Sequence, residues 1–439
     1  MNIPDLLQHQ GFLKYFKNTS WVFFERIFRM TVNLFVFVWI ARYLGPEQFG
    51  LLSYSIAFVG LFSVFASLGL DEIIVSKLVQ NKIKVSEIIG TSFVLKLLAA
   101  FFLLVSMSSI LFTLFSDQQT NIFILIITTS LIFQSFNVID LFFQSKVLSR
   151  YVVFANIVTL ILSSLIKVSL ILIEANLLSF VLVFLLDSII LAIALTYFFI
   201  RNSGHSIKKI NFKWNVAINL LKESWPLILS GLVISIYMKI DQVMIKHIID
   251  DQSVGLYAAA VKICEVWYFL PIVIASSLFP AILNSKKTDI ELYKKRIQGF
   301  YVLIFYLAIL LVIPITFFSE WIVHTLYGNQ YNQAASILLI YVWASIFVFL
   351  GVASSKWLIA EGLQIYSAIN ASIGAMVNVL LNYFLIKKLG VDGAAWSTLI
   401  SYMISSYICL LLWSKTRINF IYLSKSIFIH KIFYVKKFI

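Results

Sequence analysis

Residues 177–200 read LLSFVLVFLLDSIILAIALTYFFI, with Asp187 as their only charge and Arg201 immediately after. A helix needs about 20 apolar residues to cross the hydrocarbon core of a bilayer, and this stretch exceeds that. Eleven further runs of the same kind lie on either side, at 19–42, 48–70, 90–115, 121–143, 151–173, 225–248, 254–283, 299–319, 335–360, 366–386 and 393–414. The first is too long, and too charged at its start, for a cleavable signal sequence, so it reads as a span. The pattern is that of an all-α polytopic membrane protein with about twelve transmembrane helices.

Composition agrees. Of 439 residues, 61% are hydrophobic and 12% charged, and the mean hydropathy is +0.95. A soluble domain would carry about 25% charged residues, so this chain cannot cover itself with a solvated surface. The net charge of +14 is not spread as a stripe interleaved with aromatics. It collects in short segments between apolar runs, which excludes a nucleic-acid partner and fits membrane lipids. Cys264 and Cys409 have no CxxC spacing and imply neither a disulfide frame nor a metal. No GxxxxGK[ST] loop and no HExxH is present, so the sequence calls for no cofactor and no catalytic residue.

Basic residues fix the topology. With the N-terminus cytoplasmic, the inner segments hold 23 Lys and Arg, whereas the outer ones hold only Arg42, Lys387 and Lys388. The positive-inside rule therefore predicts both termini in the cytoplasm. The expected organisation is a six-helix bundle over 1–200, a cytoplasmic amphipathic linker over 201–224, a second six-helix bundle over 225–414 and a basic tail over 415–439. Trp214, Val216, Ile218, Leu220 and Leu221 give the linker a face suited to the membrane surface. The tail mixes Lys with Phe, Ile and Tyr and suits an interface with anionic headgroups.

The halves resemble each other. Gly50-Leu51-Leu52-Ser53-Tyr54-Ser55 parallels Gly255-Leu256-Tyr257-Ala258-Ala259-Ala260, and Phe142–Tyr151 parallels Trp357–Tyr366. In the second register Thr159, Ser163 and Lys167 fall on Gly374, Asn378 and Asn382, each trio on one helix face. Repeats of six spans insert in the same orientation, and transporters built this way place the substrate between them.

Charges inside spans are the candidate functional groups, because each costs roughly 2.5–3.5 kcal/mol at mid-bilayer unless it finds a partner or a watery cavity. Arg29, Lys239, Lys262 and Arg26 are the candidate substrate-binding cations. Asp241, Glu265, Glu25 and Asp140 are the candidate cavity acids, one of them carrying the coupling ion. Glu25 and Arg29 equally suit a pair that only fixes the first helix. Lys96, Lys356, Lys246 and Lys167 lie near span ends, where snorkelling explains them. Asp187 reads as a packing or capping acid, and Asp71-Glu72 as a helix start. Eight embedded bases against five acids favour an anionic substrate. Pro271, Pro314 and Gly351 suit either hinges or packing irregularities.

The run Ala41-Arg42-Tyr43-Leu44-Gly45-Pro46-Glu47-Gln48-Phe49-Gly50, followed by Ser67-Leu68-Gly69-Leu70-Asp71, resembles the signature of Wzx-type O-antigen and capsular polysaccharide flippases. These belong to the multidrug/oligosaccharidyl-lipid/polysaccharide (MOP) exporter superfamily. Val254-Gly255-Leu256-Tyr257 with Lys262, and Asn378 through Asn382 to Gly390–Ala395, are similar to the matching patterns of the second half. The resemblance implies two MATE-like six-helix bundles around a central cavity in a bacterial inner membrane. It implies transport, by ion-coupled alternating access, of an undecaprenyl-diphosphate-linked oligosaccharide for O-antigen lipopolysaccharide or capsule, with a polysaccharide polymerase and a chain-length regulator as possible partners. A multidrug or metabolite antiporter of the same superfamily is the alternative. A membrane polymerase fits less well, since no sizeable loop bears catalytic residues.

Overall fold

The computed structural model describes residues 10–80, 83–114, 116–203 and 211–428. The linker's residues 204–210 and the tail's 429–439 lie outside them. Every regular element among the described residues is helical. In chain order these are α1 (Gln10–Ser67), α2 (Asp71–Gln80), α3 (Val85–Leu114), α4 (Gln118–Gln134), α5 (Val138–Ser145), α6 (Arg150–Leu172), α7 (Leu177–Asn202) and α8 (Trp214–Ile248). There follow α9 (Asp251–Glu265), α10 (Phe269–Thr288), α11 (Ile290–Phe317), α12 (Ser319–Tyr327), α13 (Ala334–Ala360), α14 (Gln364–Leu389), α15 (Val391–Met403), α16 (Cys409–Leu412) and α17 (Arg417–Phe428).

Eleven segments are long and apolar enough to cross a membrane, and the first of them runs over 61 residues, Ser20–Gln80. Gly45 breaks it: its φ of 71° and ψ of 169° interrupt α1 just before Pro46. Only glycine takes that conformation at little cost, and proline is well suited to restart a helix behind it. The first segment thus supplies two crossings, giving twelve. Large apolar side chains such as Phe102, Leu172 and Leu310 are exposed on these helices, as lipid-facing positions should be and as a solvated surface would not allow.

The chain divides into two compact units, 1–43 with 55–235, and 44–54 with 236–439. In unit 1 a hydrophobic core forms where α2 meets α5. Leu70, Ile74 and Leu78 are buried with Val138, Phe142, Phe143 and Phe199. The start of α8 is tied to this unit, since Lys77 meets Glu223 at 2.6 Å and the Lys213 N–H donates to Thr91 at 3.0 Å. Residues 214–224, expected as a surface linker, are therefore the first turns of α8.

Unit 2 is organised by α13, whose Ala, Ser and large apolar residues are buried on several faces. Beside it, Asn370, Gly374, Asn378 and Asn382 form one buried stripe of α14. A π-helical turn over Ile404–Ile408 follows α15, and its Ser405 packs so close to Gly374 that a Cβ there would collide with it. Gly351 faces Ser406 in the same way, so its small size answers a packing need. In the tail, α17 docks through buried Asn419, which accepts from Tyr301 at 2.5 Å and donates to Ser354 at 2.8 Å.

Also within unit 2, the segment 44–54 lies against α9. A Cβ on Gly50 would strike the Asp251 carbonyl, and one on Gly255 the Pro46 carbonyl. These two glycines are equivalent in the repeat, and both exist to let backbone touch backbone. The second repeat register has a structural counterpart as well. Leu148 N–H donates to Phe143 O at 2.9 Å, and Leu363 N–H to Leu358 O at 2.7 Å. Val147 (φ 57°) and Gly362 (φ 71°) stand at the same place in the two corners. A left-handed conformation strains a β-branched residue by about 1 kcal/mol or more and glycine hardly at all. Val147→Gly is therefore expected to raise the melting temperature of the detergent-purified protein, and an unchanged or lowered value would remove the strain argument.

Candidate functional site

Two polar clusters sit inside the membrane-spanning helices, one in each unit. In unit 1 the first arm of α1 carries Glu25, Arg26 and Arg29. Glu25 is buried and its Oε1 lies 3.1 Å from Arg29 Nε, while the Arg29 side chain keeps 42% of its surface. That oxygen has no aligned hydrogen bond, so the ion pair leaves capacity on both partners. Arg26 is exposed and makes no hydrogen bond among the described residues. Its charge, with those of Arg29 and Asp140, acts on Glu25.

Asp140 stands on α5, directly after a tightened 3-10 turn over Ser135–Asn137, and accepts from Gln144 at 3.0 Å. Asp71, Arg29 and Lys96 all act on it electrostatically. Lys96 is buried and bonded to Asp71, the first residue of α2. The snorkelling expected of Lys96 is thus corrected, because its ammonium turns inward to a carboxylate. Lys167 likewise meets Asp187 at 2.9 Å and Ser163 at 2.7 Å. Lys246 meets Asp251 at 2.6 Å and lies over the Tyr54 ring. Lys356 alone of the four is met by no acid among the described residues and stacks over Phe279. The embedded excess of cations is smaller than a count along the chain suggests, since Lys96, Lys167 and Lys246 are each matched by an acid. In unit 1 this leaves Arg26 and Arg29 with donors to spare.

In unit 2, α8 carries Lys239 and Asp241, and α9 carries Lys262 and Glu265. Two residues apart on a helix means opposite sides of it, and the two α8 charges behave differently. Lys239 is half-buried and makes no hydrogen bond or ion pair among the described residues. Asp241 is buried and accepts from Tyr257 at 2.5 Å, Asn382 at 2.5 Å and Thr398 at 2.7 Å. All three of these partners are neutral. Asn382 also donates to Asn378 at 3.2 Å, and its own carbonyl oxygen is left without a partner. A buried carboxylate, an orphaned amide oxygen and two hydroxyls thus meet, with no cation bonded to Asp241 among the described residues. Glu265, half-buried on α9, makes no hydrogen bond or ion pair among the described residues and precedes a second 3-10 turn, Val266–Tyr268.

Tyr257, Thr398 and the Lys96–Asp71 pair were not found from sequence as functional partners. Asn378 and Asn382 stand out in the sequence only for their shared helix face in the repeat and in the family resemblance, without a functional role.

A family model described as polysaccharide biosynthesis protein matches residues 15–286. The chain belongs to that family. A second model, MatE, matches residues 226–384. Over 424 residues the chain is 23% identical to a candidate O-antigen transporter of Shigella flexneri, covering 92% of this chain and 99% of the other. Over 206 residues it is 26% identical to Agl15 of Haloferax volcanii, described as a low-salt glycan biosynthesis flippase, covering 46% and 42%. Among solved structures, the inward-facing form of a MATE multidrug transporter of the MOP superfamily matches with a TM-score of 0.73 at 15% identity, over 90% of this chain and 96% of that one. The lipid II flippase MurJ in its inward closed form matches at 0.70 and 19% identity, over 92% and 90%. The chain has the fold of these MOP-superfamily structures and is a multi-pass membrane member of the polysaccharide biosynthesis family.

Proposed function

We propose that this family member moves a polyprenyl-diphosphate-linked oligosaccharide from the cytoplasmic to the outer leaflet of a bacterial inner membrane, by alternating access and with both termini in the cytoplasm. The observation that carries the proposal is the pair of embedded arginines. Arg29 has one N–H edge turned to Glu25 and the rest of its fork open, and Arg26 is uncommitted. A guanidinium in a low-dielectric site is the group best suited to a diphosphate, which it binds bidentately. Names of relatives in O-antigen transport and glycan flipping support the same substrate class. Cationic drugs would find no advantage in such a site, which disfavours a multidrug antiporter.

Asp241 serves as the coupling group in this proposal. Asp241 is buried and bonded to Tyr257, Asn382 and Thr398, so it is the acid with which an entering coupling cation would pair, and release of that cation is the natural return step. Lys239 and Lys262 add positive charge to the same unit, and Glu25 holds Arg29 in place when substrate is absent.

In cells carrying this gene, its deletion is expected to remove the surface polysaccharide and to strand complete lipid-linked repeat units on the inner leaflet. Units that reach the outer face but remain unjoined would indicate a polymerase. Unaltered polysaccharide would favour the antiporter.

A further inference from the structure

Between α11 and α13 the chain folds a ledge that none of this transport chemistry uses. α12 lies across the end of unit 2, fastened by Val323, Tyr327 and the following Tyr331, all fully buried. The two tyrosine rings stand 5.2 Å apart, and Tyr331 also meets Phe49 at 6.3 Å. Burial pushes both phenols above their ordinary range, so they remain neutral footings. Gly328, at φ 84°, turns the chain between them. The ledge is rigid by construction.

On its open side is a groove of about 870 Å³ lined by Glu320, Trp321, His324, Asn332, Gln333 and Ser336 among others. Trp321 is 66% exposed. Ser336 is bonded to Asp392 at 3.0 Å. The side chains of Glu320, His324, Asn332 and Gln333 make no hydrogen bond or ion pair among the described residues. A rigid floor, an exposed indole and four idle polar side chains of mixed donor and acceptor type converge on one concave surface. That combination answers a ligand with apolar C–H faces and many hydroxyls. The C–H face stacks on the indole, and the hydroxyls meet carboxylate, amide and imidazole groups. A phosphate would instead meet Glu320 with no Lys or Arg to offset it.

We infer that this groove is a saccharide-binding site, distinct from the arginine cluster of unit 1 and lying at the end of the spans where delivered substrate emerges. The inference rests on the proposed substrate class and the proposed topology. It gives the transporter a place to hold the sugar portion of its cargo after the diphosphate has crossed, which would favour delivery over return.

Saturation-transfer NMR on the full chain in nanodiscs tests it, with the soluble repeat-unit oligosaccharide released from the host's surface polysaccharide as probe. Binding is expected to the wild type and to weaken about tenfold in Trp321→Ala, the scale of one lost aromatic contact. It should weaken similarly in Asn332→Ala/Gln333→Ala, whose exposed side chains bear on no core. Equal binding by all three proteins overturns the site. So does absence of binding together with quenching of Trp321 by brominated lipid, which would make the indole an interfacial anchor. Lipid-linked substrate flipping, measured on the same proteins, separates the two ideas. Flipping without groove binding defeats only the groove, and groove binding without flipping defeats only the proposed function.

Discussion

An Asp241→Asn transporter reaches the membrane in normal amount and exports nothing. The substitution keeps size and shape, and the network around it can re-form. The new amide oxygen takes the Tyr257 and Thr398 hydroxyls, while Asn382 turns its unpartnered oxygen toward the new NH2. What disappears is the charge. If coupling requires a carboxylate that gains and loses a cation, export falls by about 100-fold or more, the scale of removing a coupling of about 3 kcal/mol. Asp241→Leu behaves differently, because three buried donors lose their acceptor at a cost of about 1–3 kcal/mol each. That variant is expected to be depleted from the membrane or to melt far lower. Export by Asp241→Asn at the wild-type rate, with abundance matched by immunoblot, would contradict the coupling role.

Arg29 carries the second large effect. Arg29→Glu places a carboxylate where the diphosphate should bind and is expected to abolish export at abundance matched by immunoblot, since it also sets a like charge beside buried Glu25. Arg29→Gln loses charged hydrogen bonds worth about 1.5–3 kcal/mol each, roughly 10- to 100-fold in transport. Arg29→Lys should fall between, as an ammonium supplies the charge but not the fork. Glu25→Gln releases Arg29 from its partner and should leave export largely intact. Were Glu25→Gln as damaging as Arg29→Glu, the pair would be a structural clasp of α1. Dose–response export assays in a complemented deletion strain distinguish these outcomes.

The spans were legible because crossing a bilayer is a property of each segment alone: residues 177–200 declare themselves without reference to any neighbour. The corner at 142–151 and its counterpart at 357–366 were legible for a related reason, since the same local hydrogen bonds demand similar residues in both. Pairing of charges was not. Lys96 finds Asp71 and Lys167 finds Asp187 only because separate helices bring them together, and no spacing along the chain records that. Asp241 shows the same limit. Its donors come from α9, α14 and α15, none of them on its own helix. That the stretch from Trp214 continues into the span as one helix, tied to unit 1 through Glu223 and Lys213, is a tertiary event that its amphipathic pattern does not record.

The most direct measurement is reconstitution of the purified protein into proteoliposomes containing the lipid-linked oligosaccharide, with an impermeant sugar-modifying enzyme added outside. Protein-dependent exposure of the inner pool, abolished by Arg29→Glu, is the expected result. An inner pool that stays protected under every ion gradient applied, with the protein folded and correctly inserted, would contradict the proposed flippase.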